Sequence, residues 1–435
     1  MITVGDCYEV LDPSLTKDGH HGPAFEAFFR KLCGSTWRDD PTKHRYAQKI
    51  GIIPPGELRC PPEGIHPWSI ENLRIEDSSI IIAEGPIPIV LSIDACSFGY
   101  WRGARIDCRR TNRGGRTDVP YRPIQIHKSL TTHASPPQTQ FLLDRAWVHG
   151  TWVDSPIVLG SDNTEGMQED HSTARDCKVL GGFDPYTDDV IDLWRGGLLG
   201  SGVTWSNTRR NLFDNCYIAK CGFAFGSKRG GARFMNCNVD GCRDVYWFAG
   251  AQNKAVVIGG EAENCQRFVV DALGASYDCS LAIEHFTCKL DRWRPGLRPP
   301  PSVSQEVMDR EFKGGESLGW WKTSGGLKLY NVTVSHLPVR RETPTAPLRY
   351  ARNLREVNGV EVYERTTIPA PRFHVLNDAA LVSTTLCSAY GYKSGAAFTR
   401  VLAGRARHEL WNRTEYHGGG EGPTMIADNQ DPTTG

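Results

Sequence analysis

The sequence has no surplus of either charge: its 435 residues carry 50 Lys and Arg against 50 Asp and Glu. That balance removes the basic footprint by which nucleic-acid-binding surfaces hold phosphate, and equally a surface held by charge to anionic lipid. Neutral partners, carbohydrate or protein, are the expectation that remains. A long apolar run is missing too. The longest candidates are short, such as Ile80 to Ala83, where a membrane-spanning helix needs about 18 residues, so no membrane insertion is expected. The start, MITVGDCYEVLDP, lacks a basic segment followed by an apolar one, so export by a signal peptide is not expected. Gly and Pro, at 45 and 27 residues, fall short of the roughly one quarter typical of low-complexity chains. A folded, turn-rich protein follows. Its length exceeds one compact core, leaving either several domains or one body that grows by repetition.

The 14 cysteines include no CxxC pair matched by a second pair or by histidines, which argues against zinc; no metal or cofactor is expected. Their spacing points elsewhere. The phrases NCYIAKC (Asn215 to Cys221), NCNVDGC (Asn236 to Cys242) and GGEAENC (Gly259 to Cys265) recur about every 21–23 residues. A period in the twenties marks a solenoid. Within each unit the apolar positions alternate around Ile218, Val239 and Ala262, with Gly-rich turns between, which is strand periodicity. Coils of this kind stack into a parallel β-helix with like positions about 4.8 Å apart. Cys216 with Cys237, and Cys221 with Cys242 and Cys265, then read as reduced interior stacks, since a free thiol is small and apolar. Disulfides are the alternative, although stacking alone does not create bridging geometry.

Before the coils, Pro23 opens AFEAFFRKLC, whose Phe25, Phe28, Phe29 and Leu32 follow helical spacing. This predicts a helix covering one open end of the solenoid. KIGIIPPGELRC (Lys49 to Cys60) reads as a strand and turn, and strand-like runs follow at Asn72 to Gly85, Pro88 to Tyr100, Phe141 to Val153 and Thr173 to Phe183. Polar insertions at Arg109 to Arg122 and Asp162 to His171 separate them, and solenoids often gather such insertions on a binding face. DRWRPGLRPPPSV, beginning at Asp291, carries four prolines and reads as a connector. The expected organisation is an N-terminal capping or attachment segment (1–60), a parallel β-helix (61–290), the connector (291–306) and a β-rich module (307–435). No heptads mark a coiled-coil clamp.

KDGHHG (Lys17 to Gly22), the helix phrase GPAFEAFF, the turn IIPPGELR and the Asn-Cys coils together resemble the pectate-lyase-like right-handed parallel β-helix superfamily, in particular bacteriophage tailspike and tail-fibre proteins. The resemblance spans roughly residues 15–290. It implies an all-β, right-handed solenoid with a capping helix and a smaller C-terminal β-rich module. It also implies a virion protein of the phage tail, a homotrimer bound to other tail or baseplate proteins, that binds and in some members depolymerises bacterial surface polysaccharide. A free, extracellular polysaccharide hydrolase or lyase of the same superfamily is one alternative, and a non-catalytic structural tail protein is another, because one fold hosts many functions.

Aligning coils by their cysteines places Tyr217, Asn238 and Glu261 in one outward column and Ala219, Asp240 and Glu263 in the next. Two carboxyls near 5 Å can split into an acid and a base. A separation of about 5 Å suits a retaining glycosidase and 6.5–9.5 Å an inverting one, so Asp240, Glu261 and Glu263 are the catalytic candidates; a solvated outer face is the alternative. For substrate binding the candidates are Trp320 and Trp321 in a Gly-flanked loop, Asn238, and Asp162 and His171 of the acidic insertion. Exposed indoles stack on sugar faces while amides and charged groups bond hydroxyls. Most of the other tryptophans, among them Trp101, Trp147 and Trp152, are expected to pack.

Overall fold

The computed structural model of the chain describes residues 7–34, 45–108, 119–127, 140–160, 171–181, 203–206, 208–227, 230–242, 244–248, 254–265, 267–271, 280–290, 317–321 and 326–336, and beyond these only short strands between 354 and 425. It is an all-β parallel β-helix, with a single helix among the described residues. The chain forms two compact units, one ending at Asn238 and the other running on from Val239.

In the first unit each coil contributes strands to three parallel ladders. The first passes from Ile50–Ile53 through Arg74–Asp77, Gly99–Arg102, Phe141–Asp144 and Thr173–Arg175 to Thr208–Asp214. The second runs from Glu57–Arg59 through Ile80–Ile82, Arg105–Cys108, Trp147–Gly150 and Lys178–Gly181 to Tyr217–Ala219. The third joins Ile89–Asp94, Arg122–His127, Ile157–Gly160, Val203–Ser206 and Phe223–Ser227. Alternation sorts each strand into an inner and an outer face. Leu58, Ile81, Ile106, Val148, Val179 and Ile218 form an inward column, each no more than 2% exposed. Aromatic rings stack across coils in the same interior, Phe213 lying 5.3 Å from Phe234 at an interplanar angle of 17°.

The Asn-Cys phrase turns out to be a corner. From the third coil of the first unit on, first and second strands meet at two residues, the first of which takes a left-handed conformation: Gly103 (φ 87°), Arg145 (54°), Asp176 (54°), Asn215 (52°) and, within the long strand Gly230–Asp240, Asn236 (50°). Asn and Asp tolerate that region better than other side chains, because a short polar group bonds locally. Asn215 Nδ2 donates to Asp176 Oδ1 on the preceding coil at 2.6 Å. The second corner residue points inward and is small: Ala104, Ala146, Cys177, Cys216 and Cys237 are all buried. Cys216 and Cys237 stack as expected, with Cys177 before them, and Cys221, Cys242 and Cys265 are likewise buried free thiols. The hydrogen bond to the preceding thiol, Cys177 for Cys216 and Cys216 for Cys237, and then burial push both groups well above their ordinary range.

The second unit repeats the scheme. Val257, Ile283 and Leu329 align in one ladder, and Ala262, Cys288 and Val334 in another. Its corners are His285 (φ 54°) before buried Phe286, and Asn331 (φ 49°) before buried Val332. The same ladders run on beyond residue 306, through Leu381–Thr385 to Arg407–Asn412 and through Ser388–Tyr390 to Glu415–His417. The C-terminal β-rich stretch is therefore built mainly of further coils, with an antiparallel hairpin, Leu354–Val357 with Val360–Tyr363. The proline-rich connector lies outside the described residues.

Helix α1 (Gly22–Cys33) buries Ala24, Phe25, Phe28, Phe29 and Leu32, the face expected from their spacing. It closes the end of the first unit's core. Phe29 lies 6.5 Å from Trp101, and Phe28 Cζ would sit 2.5 Å from a Cβ added at Gly51, so Gly51 is what lets the ring seat on the first coil. Phe28→Ala should lower stability by about 3–5 kcal/mol, the usual cost of emptying a buried aromatic site, measured as a fall in the denaturant midpoint.

A candidate ligand groove on the second ladder

The outward residues of the second ladder form a column that its inner face keeps in register: Arg105, Trp147, Lys178 and Tyr217 are consecutive partners. Asn238 extends it, because its N–H donates to Cys216 O at 2.8 Å just as Tyr217 N–H donates to Cys177 O at 2.9 Å. Apolar packing of Val148, Val179 and Ile218 behind the column holds these side chains out. Trp147 is 46% exposed and Tyr217 38%, while Trp101 and Trp152 are fully buried. The column and the corner residues Arg145, Asp176 and Asn215 line an open groove of about 470 Å³. With one coil between them, the two exposed rings are about 10 Å apart.

Behind the corners, the first ladder carries a run of alternating charge. Arg102 Nη1 donates to Glu76 Oε1 at 3.0 Å, Arg102 Nε to Asp144 Oδ2 at 2.7 Å, and Arg175 Nε to Asp144 Oδ1 at 3.0 Å. Burial pushes the Asp144 carboxyl up, but the hydrogen bonds and charges of Arg175 and Arg102 outweigh it and hold the group below its usual range. Ionised and doubly bonded, Asp144 fixes the strand ends from which Arg145 and Asp176 project. Next to Trp147, His149 Nδ1 lies 4.0 Å from Asp107 Oδ1.

Of the residues expected to bind substrate, Asn238 belongs to this groove. His171 lies half-buried just before the strand Thr173–Arg175 and lines no part of it. Asp162 lies outside the described residues. Trp320 and Trp321 are not in a loop: they end the strand Ser317–Trp321, in parallel register with Val270 and with His374 and Val375. Gly319 beside them is itself part of that strand.

The catalytic candidates sit in the second unit. Gly241 N–H donates to Glu263 O at 3.0 Å, the bond expected when Asp240 and Glu263 are cross-coil partners. Glu261 is exposed two residues before Glu263 and pairs with Thr287. Lys289 Nζ is ion-paired to Glu263 Oε1, so a cation shares the site with the carboxylates. Among the described residues no three His, Cys, Asp or Glu side chains are grouped to hold a metal ion.

Sequence reasoning passed over Trp147, Arg105, Arg145 and Lys178. The spacings along the column are 42, 31, 39 and 21 residues, and only the last falls within the repeat that was visible. One signal was present: RDCK (Arg175 to Lys178) has the corner form of DNCY and MNCN, and extending the cysteine alignment to it places Lys178 beside Tyr217.

At the corner one coil before Arg105, Asp77 is buried and accepts hydrogen bonds from Ser79 N at 2.9 Å, Ser79 Oγ at 2.7 Å and Trp101 Nε1 at 3.0 Å. Burial prevails over these bonds and pushes its carboxyl up to about 6. A raised folded-state value means stability that is full below the ordinary carboxylate range and lost as pH rises through about 6. Urea unfolding between pH 4 and 7.5 should show this decline, on the order of 2–3 kcal/mol. Asp77→Asn, which never ionises but forfeits the Trp101 acceptor at every pH, should lack it.

No protein-family model matches the chain, and no curated protein is significantly similar to it.

Proposed function

We propose that the protein binds polysaccharide along the groove of the second ladder. The observation that carries this reading is the pair of exposed rings, Trp147 and Tyr217, held in one column among side chains able to bond hydroxyls. Exposed aromatics on a rigid sheet supply flat apolar platforms for sugar rings at little entropic cost, and neighbouring amides and charges orient the ring. Ladder strands suit this better than loops, because register fixes the spacing between platforms.

The biological setting we propose is that of a tailspike or tail-fibre protein of the pectate-lyase-like superfamily: a homotrimer in the virion that attaches to bacterial surface polysaccharide. The residues that resemble that family support it. KDGHHG forms a tight turn closed by hydrogen bonds between Lys17 and His20, GPAFEAFF forms the helix, and IIPPGELR joins the first strands of two ladders. Trp147→Ala and Tyr217→Ala should each weaken binding to a responsive polysaccharide at least tenfold with unchanged unfolding midpoints, measured by affinity electrophoresis over a panel of bacterial capsules and lipopolysaccharides. Unaltered binding by both variants would remove the groove from consideration. In solution the mass should be that of three chains.

Cleavage by Asp240, Glu261 and Glu263 is the second reading, favoured by the cross-coil placement that the Gly241 to Glu263 bond indicates. If it holds, Glu263→Gln abolishes the release of new reducing ends or unsaturated products while leaving binding at Trp147 intact. Full product release by that variant rules the pair out.

A further inference from the structure

The groove's charge is not that of the chain. Arg105, Arg145 and Lys178 line it against one carboxylate, Asp176. That carboxylate is already engaged: Asp176 Oδ1 accepts from Asn215, and Oδ2 lies 3.9 Å from Arg175 Nε. Arg145 Nε is 3.6 Å from Asp144 Oδ2. Arg105 and Lys178 have no ion-pair partner among the described residues, and Arg105 acts on Asp77 only through its field. Both are exposed in the column of the platforms.

Their order along the axis is specific. Successive coils present Arg105, Trp147, Lys178 and Tyr217, so cation and aromatic alternate with a repeat of two coils, about 10 Å. A pyranose unit in an extended glycan advances by nearly the distance of one coil. A chain lying along the axis would therefore set one sugar over each column residue. A neutral ring suits the apolar face of Trp147 or Tyr217, and a carboxylate-bearing sugar suits Lys178 or Arg105, where it makes a charge-assisted bond. An acidic group over every sugar would place half of its charges on aromatic faces, whose negative quadrupole repels them.

We infer that the groove selects an anionic polysaccharide running along the solenoid axis, with an acidic residue at every second sugar, the acidic residues on Arg105 and Lys178 and the intervening rings on Trp147 and Tyr217. This rests on the groove reading proposed above and goes beyond it in naming the charge, its spacing and the chain direction.

The test uses the full-length protein and calorimetric titration with three probes of matched length: hyaluronan oligosaccharides, which alternate a uronate with a neutral amino sugar, the same oligosaccharides after carboxyl reduction, and oligogalacturonate, acidic at every residue. The expected result is tightest binding of hyaluronan, at least tenfold loss on carboxyl reduction, and weaker binding of oligogalacturonate. Lys178→Gln, an exposed substitution, should lose about tenfold for hyaluronan and lessen the salt dependence, with no effect on the reduced probe. Equal affinity for the reduced form overturns the charge assignment, and sensitivity to Trp147→Ala would then leave the groove reading standing. Oligogalacturonate binding as tightly as hyaluronan overturns the alternation. Failure of all three probes to bind overturns this inference, while the groove reading is decided separately by Trp147→Ala against the surface-polysaccharide panel.

Discussion

The corner between the first and second strands is the constraint on which the rest of the fold depends. Two residues turn the chain, the first left-handed and the second inward, and the same pair recurs at Asp176–Cys177, Asn215–Cys216 and Asn236–Cys237. A non-glycine residue in that region costs about 1–2 kcal/mol. The cost is met by local bonds such as Asn215 to Asp176 and by an inward neighbour small enough to fit the bend. Because the coils from Gly103 to Cys237 turn at the same place, the strand after the corner starts in the same register, and whatever lies one residue past the inward Ala or Cys becomes part of one outward column. Trp147, Lys178, Tyr217 and Asn238 share nothing in type or spacing except that position.

Two ways of handling charge lie on either side of that corner. On the first ladder Glu76, Arg102, Asp144 and Arg175 neutralise one another, with Asp144 buried between two guanidinium groups. On the second ladder Arg105 and Lys178 stay exposed and unmatched among the described residues. The first arrangement resists acid only down to the point where Asp144 protonates, below the ordinary carboxylate range, and then loses its contribution. Asp77 works in the opposite sense, stabilising most when protonated. The two carboxyls pull stability in opposite directions, one at acid pH and the other towards neutrality.

The repeat was legible in the sequence where coils were short. Between Cys216 and Cys265 the turns carry few extra residues, so period, inward Ile218, Val239 and Ala262, and the cysteine stacks could all be read. The helix was legible because its apolar spacing is local. The groove was not, for a physical reason: a β-helix tolerates insertions at its corners, since closing a longer loop adds only slowly to the entropic cost. Long connections on either side of the third ladder, such as Cys108 to Arg122, His127 to Phe141 and Gly160 to Thr173, break the sequence period while leaving the register intact. The placement of Trp320 and Trp321 in a loop erred for the converse reason, since a glycine that looks like part of a loop in sequence, Gly319, here lies within a ladder strand.

Net charge says little about any one face of such a fold. A total of zero predicts a neutral partner only if charges of both signs are spread evenly, and a solenoid does not spread them. Each outward column samples one position per coil, so a handful of residues far apart in sequence determines the potential over a groove several coils long. Arg105 and Lys178 lie 73 positions apart yet line the same groove, separated by the thickness of two coils. In such a fold the relevant charge is that of the column, and between Arg105 and Tyr217 the column of the second ladder alternates cation and aromatic before it reaches Asn238.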